Sequence, residues 1–125
     1  NKETLRNTKQ RSKYGNVRTQ INGITFDSKA ESLRYLELKQ LESIGEISEL
    51  NLQVSFPIEV VGQYGTWKVK YIADFVYLNR DGMRVVEDVK GQKKTTREYQ
   101  MKKGLMAKLY GIEIIEVRRK REGSK

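Results

Sequence analysis

Two acidic motifs in consecutive apolar runs contain the residue types best suited to chemistry. Asp74 lies in one run, and Asp88 and Lys90 lie in the next. Side chains alternate between the two faces of a strand, so Asp88 and Lys90 point to one side while Glu87 and Val89 point to the other. If the two runs pair as a hairpin, two carboxylates and one ammonium group converge on an apolar sheet. Because buried charges without partners are costly, such a cluster is typical of a cation site.

This set of groups is suited to phosphodiester hydrolysis. Asp74, Asp88 and the backbone carbonyl of Val89 offer the oxygen ligands that Mg²⁺ or Mn²⁺ prefers. Lys90 has two possible roles, which are to hold or deprotonate the attacking water, or to neutralise charge in the transition state. The sequence does not separate these roles. An Asp-x-Lys motif on its own is more often an exposed cross-strand pair, but the neighbouring Asp74 favours the catalytic interpretation.

The composition excludes several other chemistries. The 125-residue chain contains no cysteine and no histidine. Zinc fingers, Ser-His-Asp hydrolases and Cys-His proteases each need a residue that is missing. Hydrolysis would therefore depend on carboxylates, lysine and hydroxyl groups, with oxygen ligands for a hard cation.

A wider pattern surrounds these motifs. It consists of the segments Lys13-Tyr14-Gly15-Asn16, Phe26-Asp27-Ser28-Lys29-x-Glu31, Tyr71-Ile72-Ala73-Asp74-Phe75 and Val86-Glu87-Asp88-Val89-Lys90-Gly91. The pattern closely resembles a family of small phage and prophage proteins assigned to the PD-(D/E)XK nuclease superfamily, which includes restriction enzymes and Holliday-junction resolvases. The resemblance runs from about residue 13 to residue 117. Ile72-Ala73 replaces the proline that names the superfamily. Of the two adjacent acids, we prefer Asp88 over Glu87 because only Asp88 has Lys90 two residues further on.

The resemblance implies a function and a setting. It implies a Mg²⁺- or Mn²⁺-dependent endonuclease that cuts DNA, on branched or nicked structures, in the cytoplasm of a bacterial host. It also implies that Glu31 completes the metal site, although an S-x-x-E capping box explains Glu31 equally well. Gln53 could orient substrate, and a solvated strand face explains that residue too.

The elements needed to position these residues follow in the order β-α-β-β-β-α-β. This order predicts an α/β (α+β) protein with a restriction-endonuclease-like mixed β-sheet flanked by two helices. A strand pair is expected around Asn22-Gly23, and the first helix should be capped by Ser28 and end at Gly45. A strand from Glu49 should end at Pro57, with an edge continuation to Val61. Further strands are expected at 67–78, 83–90 and 112–117.

Apolar spacing predicts which helix residues face inward. In the first helix these residues are Ala30, Leu33, Leu36, Leu41 and Ile44. In the second helix, at about 96–110, they are Tyr99, Met101, Leu105, Met106 and Leu109. Trp67 and Tyr71 are predicted to be core or sheet-face residues rather than platforms for base stacking.

The formal net charge of +9 lies on two flanking segments. We expect a basic arm at 1–20, a nuclease domain at 21–117 and a basic tail at 118–125. Basic segments around a neutral domain favour a polyanion, although they could be simple solubilising ends. The candidate DNA-binding residues are Lys13, Arg18, Lys93, Lys94, Arg97, Lys102, Lys103, Arg118 and Arg119.

Alternative functions remain open at this stage. A non-catalytic DNA-binding protein would keep the basic segments but would have no need of two strand carboxylates beside a lysine. A structural phage protein would explain neither feature. The chain has no apolar run of the ~20 residues that cross a bilayer, so no membrane partner is expected. Paired cuts in a junction would favour a symmetric homodimer.

Overall fold

The computed structural model describes residues 18–91 and 94–119. This part of the chain contains two helices and six strands. In chain order they are β1 (Thr19–Ile21), β2 (Ile24–Phe26), α1 (Lys29–Ser43), β3 (Ser48–Gly62), β4 (Gly65–Leu78), β5 (Arg84–Val89), α2 (Arg97–Tyr110) and β6 (Ile115–Val117). The predicted α+β class and element order are confirmed. Neither helix of the described part is long and apolar enough to cross a membrane.

The main sheet has four strands in the order β3-β4-β5-β6. Strand β4 is antiparallel to both β3 and β5, whereas β6 is parallel to β5, so the sheet is mixed as predicted. Strands β1 and β2 form a separate hairpin. Asn22 and Gly23 at its turn both have positive φ, as a two-residue hairpin turn requires. This hairpin begins at Thr19, inside the segment expected to be the arm.

The long hairpin of β3 and β4 includes the edge continuation that was predicted to follow Pro57. Strand β3 runs through Pro57 to Gly62 and pairs with β4 along its length. Proline is tolerated there because β3 lies at the edge of the four-stranded sheet, where one side needs no backbone donor.

Each face of the sheet packs against one helix. On one face, Tyr35 and Leu38 of α1 contact Phe75 and Tyr77 of β4. On the other face, Tyr99 and Met106 of α2 belong to a cluster with residues of three strands, which are Phe56, Ile58, Tyr71, Ala73, Val76 and Val86. The two core clusters thus hold the sheet between the helices.

Both helices begin and end where the sequence predicts, but their inward faces differ from the prediction. Ser28 accepts a hydrogen bond from the Glu31 backbone N–H, and Thr96 caps α2 in the same way. The prediction that Leu33, Leu36 and Ile44 of the first helix face inward is wrong, because all three are exposed. In α2, Met101 and Leu109 are likewise exposed. Strand β6 is short, and Ile115 within it is half exposed.

Strands β3 and β4 change faces at a single cross-strand pair. Strict alternation would keep Tyr71, Ala73, Phe75 and Tyr77 on one face. Instead the first two belong to the α2 cluster and the last two to the α1 cluster. The change falls at Asp74, opposite a Gln53 whose φ is 54°. Asp74 is therefore the residue at which β4 changes faces. Its side chain lies within the candidate site.

Candidate active site

The candidate site lies where β4 and β5 separate. Their ladder runs from Leu78↔Arg84 to Phe75↔Glu87 and ends there. One step further, the Val89 backbone N–H donates to Asp74 Oδ2 over 2.8 Å. The Asp74 side chain therefore bridges the gap that opens between the two strands.

Asp88 and Lys90 share a face of β5, as alternation predicts. Lys90 Nζ lies 3.1 Å from Asp88 Oδ1. The other oxygen, Asp88 Oδ2, accepts a hydrogen bond of 2.7 Å from the Tyr71 hydroxyl. Asp88 is only 7% exposed. Because each of its oxygens has a donor, the orientation of the carboxylate is fixed.

Asp74 and Asp88 are close enough to repel each other. Burial, and next the negative charge of Asp88, raise the pKa of Asp74 from 3.8 to about 6. The Val89 N–H, a 3.4 Å hydrogen bond from the Gln53 amide, and Lys90 act in the opposite direction. The pKa of Asp74 stays raised because burial and the charge of Asp88 together outweigh these donors.

Two tyrosines line the site and were predicted only as core residues. Tyr71 is buried and donates to Asp88, while the Lys90 ammonium lies 3.5 Å from the centroid of the Tyr99 ring. The Tyr99 hydroxyl donates to Glu116. Burial, more than any other cause, raises the pKa of both tyrosines, so both remain protonated donors. The sequence signal for Tyr71 is its place on the same strand as Asp74.

The donor set fits a hard divalent cation. Each oxygen of Asp74 and Asp88 has one hydrogen-bond donor, whereas a carboxylate offers about four acceptor positions, so acceptor capacity remains. Among residues 18–91 and 94–119, no group of three or more Asp, Glu, His or Cys side chains is arranged to hold a metal ion. The structure thus brings together two acidic side chains, and a third ligand from the Val89 carbonyl or from Glu31 stays a prediction.

The first turn of α1, which carries Glu31, packs beside the end of β5. A Cβ added to Gly91 would lie 3.6 Å from the Cβ of Ala30, and Gly91 has a φ of +56°. The positive φ favours glycine directly after Lys90, and the 3.6 Å separation is an ordinary van der Waals contact that shows how close Ala30 lies. The Glu31 backbone is used in the cap with Ser28, and its role as a metal ligand stays a prediction.

Several predicted DNA-binding residues form ion pairs with carboxylates of the chain itself. Lys102 lies 3.4 Å from Glu98, and Arg18 lies 3.8 Å from Asp27. Lys103 lies 2.9 Å from Glu116. Lys94 and Arg97 are exposed at the start of α2. Lys13 and Lys93 lie outside the described residues.

The two arginines after β6 have contacts within the fold. Arg118 lies 3.1 Å from Glu116, and Arg119 lies 2.5 Å from Glu37 of α1. The Arg119 backbone N–H donates to the Gly91 carbonyl. These contacts tie the end of the last strand to α1 and to the end of β5.

A buried network on the opposite face was not predicted. Arg34 of α1 donates to both carboxylate oxygens of Glu87, over 2.9 and 2.7 Å, and the Tyr77 hydroxyl donates to the same group. Hydrogen bonding to Glu87, more than any other cause, raises the pKa of Arg34. The Glu87 carboxylate therefore binds Arg34 and Tyr77 and links α1 to the sheet. This role supports the choice of Asp88 as the acid of the candidate site.

A cleft opens beside Asp88. It has a volume of about 430 Å³ and is lined by Lys70, Tyr71, Ile72, Asp88, Thr96, Glu98, Tyr99 and Lys102. The cleft gives a ligand access to the otherwise buried carboxylate.

The fold and site together define an α+β protein with paired carboxylates and a lysine where two central strands separate. The chain belongs to the DUF1064 family, described as a protein of unknown function, and the family model matches residues 11–120. No curated protein and no solved structure matches the chain.

Proposed function

We propose that this protein is a metal-dependent endonuclease that hydrolyses DNA phosphodiester bonds, with Mg²⁺ or Mn²⁺ as its cofactor. The observation that carries the proposal is the convergence of Asp74, Asp88 and Lys90 at the split between β4 and β5. A purely structural role would not account for two largely buried carboxylates placed close together beside an accessible cleft.

The two carboxylates would hold the cation. Asp74 and Asp88 supply oxygen ligands, and the Val89 carbonyl and Glu31 are the further candidates from the sequence. A bound Mg²⁺ would supply a polarised water and compensation for charge on the phosphate. Tyr71 orients the Asp88 carboxylate through its hydroxyl.

Lys90 would act on the water or on the developing phosphate charge. Its ammonium is held between Asp88 and the face of Tyr99. These two contacts position Lys90 beside the carboxylates, where it could neutralise charge on the phosphate or hold the attacking water by donating to it. A deprotonating role stays the alternative.

The partner and setting follow from the same proposal. We infer that DNA is the substrate, because charge on the flanking segments and the resemblance to junction-resolving nucleases both favour it. The resemblance also favours branched or nicked DNA, a phage or prophage origin, and work in the cytoplasm of the bacterial host. Paired cuts would require a homodimer with two sites.

Cleavage assays on a set of DNA structures test the proposal. Labelled four-way junction, flap, nicked and linear duplex DNA are incubated with Mg²⁺ or Mn²⁺, and the products are separated by size. The unaltered protein is expected to cut at least one structure, and Asp88→Asn and Lys90→Ala are expected to lose cutting. Asp81→Asn is the matched control, because Asp81 is an exposed acid in the β4–β5 turn. Binding without cutting of any structure would instead support a non-catalytic DNA-binding protein.

A further inference from the structure

Among the described residues, no strand pairs with most of β4 on the side of β5. It pairs with β3 from Gly65 to Leu78, but with β5 only from Phe75 to Leu78. Within the described residues, β4 before Phe75 therefore presents one edge of unpaired backbone groups. Such an edge is accessible to an extended chain.

The cleft beside Asp88 runs along this edge. Three consecutive residues of β4, Lys70, Tyr71 and Ile72, line it. Because the faces of a strand alternate, three consecutive residues share a wall only along an edge. The first turns of α2 form the opposite wall, and Asp88 lies between the two.

A lysine lies on each wall of the cleft. Lys70 is exposed on the β4 wall, and Lys102 is on the α2 wall. Lys102 has a long 3.4 Å contact with Glu98, a carboxylate that is 76% exposed. Because Glu98 is largely exposed, this long contact contributes little to stability, and an anion in the cleft can replace Glu98 as the partner of Lys102.

We propose that the cleft binds the sugar–phosphate backbone of one nucleic-acid strand, with Lys70 and Lys102 contacting phosphates on either side of the one presented to Asp88. This inference rests on the proposed nuclease function and specifies how the substrate lies. A volume of about 430 Å³ falls within the range of about 300–1,000 Å³ typical of sites for one small molecule. It admits a nucleotide-sized segment of one strand. A single-stranded oligonucleotide is therefore the simplest ligand that can test the contacts of Lys70 and Lys102.

Salt-dependent binding of a labelled single-stranded oligonucleotide tests this inference. Binding is measured in EDTA, so that no cutting occurs, for Lys70→Gln and Lys102→Gln. Two matched controls lie on the same elements but outside the cleft, which are Lys68→Gln on β4 and Lys108→Gln on α2. Each cleft variant is expected to reduce the slope of log affinity against log salt by about 0.7, as one phosphate contact is lost. The controls are expected to keep the slope of the unaltered protein.

The outcomes separate this inference from the nuclease proposal. Equal slopes for cleft variants and controls would overturn the inference even if the protein cuts DNA. Reduced slopes for the cleft variants alone would support the inference. That result would stand even if no DNA were cut in Mg²⁺ or Mn²⁺, an outcome that would defeat only the nuclease proposal.

Discussion

At the scale of the residue, the site depends on how Asp88 is held. Its two oxygens accept from Lys90 and Tyr71. Burial, and next repulsion by the charge of Asp88, raises the pKa of Asp74 to about 6. A cation bound between the carboxylates would relieve this repulsion, since opposite charge favours the ionised form of both acids.

Removal of the Tyr71 hydroxyl should separate positioning from substrate binding. In Tyr71→Phe the buried Asp88 Oδ2 loses its donor, at a cost of about 1–3 kcal/mol in the free energy of unfolding. We expect a lower cleavage rate at saturating DNA with little change in DNA affinity. Urea unfolding and single-turnover cleavage measure the two effects.

Tyr64→Phe is the matched control, because Tyr64 lies at the β3–β4 turn and is 95% exposed. It should behave like the unaltered protein in both assays. A Tyr71→Phe variant with unchanged stability and cleavage rate would show that the hydroxyl does not position Asp88.

The sequence predicts some residues of the site and not others. Alternation along one strand is a local rule, so it places Asp88 and Lys90 together without knowledge of the fold. The contact of Tyr71 with Asp88 spans 17 residues and depends on the change of faces at Asp74. No local periodicity encodes that change, so the role of Tyr71 emerges only from the structure.

At the scale of the element, the position of α1 depends on a buried charge. Arg34 forms a bidentate hydrogen bond with Glu87, which is 2% exposed, and Tyr77 donates to the same carboxylate. This pairing explains why the inward face predicted for α1 is wrong. The apolar spacing favours burial of Leu33 and Leu36, but the helix must present Arg34 to a partner 53 residues away, and those leucines become exposed.

Loss of Arg34 should destabilise the fold strongly. Arg34→Met leaves Glu87 charged and buried without its cation, which is expected to cost about 3–5 kcal/mol. Urea unfolding should show a lower midpoint with a similar slope. The double variant Arg34→Met/Glu87→Gln removes the unpaired charge and should recover part of the loss. An unchanged midpoint for Arg34→Met, or no recovery in the double variant, would contradict this account of how α1 is held.

At the scale of the whole molecule, basic charge is used in two ways. The segments 1–20 and 118–125 carry the net excess, yet Arg118 and Arg119 form ion pairs within the fold. Composition therefore identifies a basic protein but does not separate cations that hold the fold from those available to DNA.

The stability of the molecule in acid should depend on Glu116. Lys103 foremost, with Tyr99 and Arg118, lowers the pKa of Glu116 from 4.5 to about 2. A carboxyl group with a lowered pKa in the folded state stabilises the protein above its unfolded pKa, and this contribution disappears as the pH falls from about 4.5 towards 2. Glu116→Gln should therefore be less stable than the unaltered protein at neutral pH, and the difference should narrow below pH 4.5.

Thermal unfolding across this pH range measures the effect. Glu113→Gln, a change at an exposed acid in the same segment, should leave the stability curve in place. The difference in stability between Glu116→Gln and the unaltered protein could instead stay constant as the pH falls. That result would rule out the ionised carboxylate as the source of the difference.

The most direct test of the central claim is the initial rate of DNA cleavage as Mg²⁺ is titrated into metal-free protein. The account predicts no cutting without the metal, a rate that rises and saturates with Mg²⁺ for the unaltered protein and for Asp81→Asn, and no cutting at any concentration for Asp88→Asn. Cleavage that persists in EDTA, or an Asp88→Asn variant that follows the same titration curve as the unaltered protein, would contradict it.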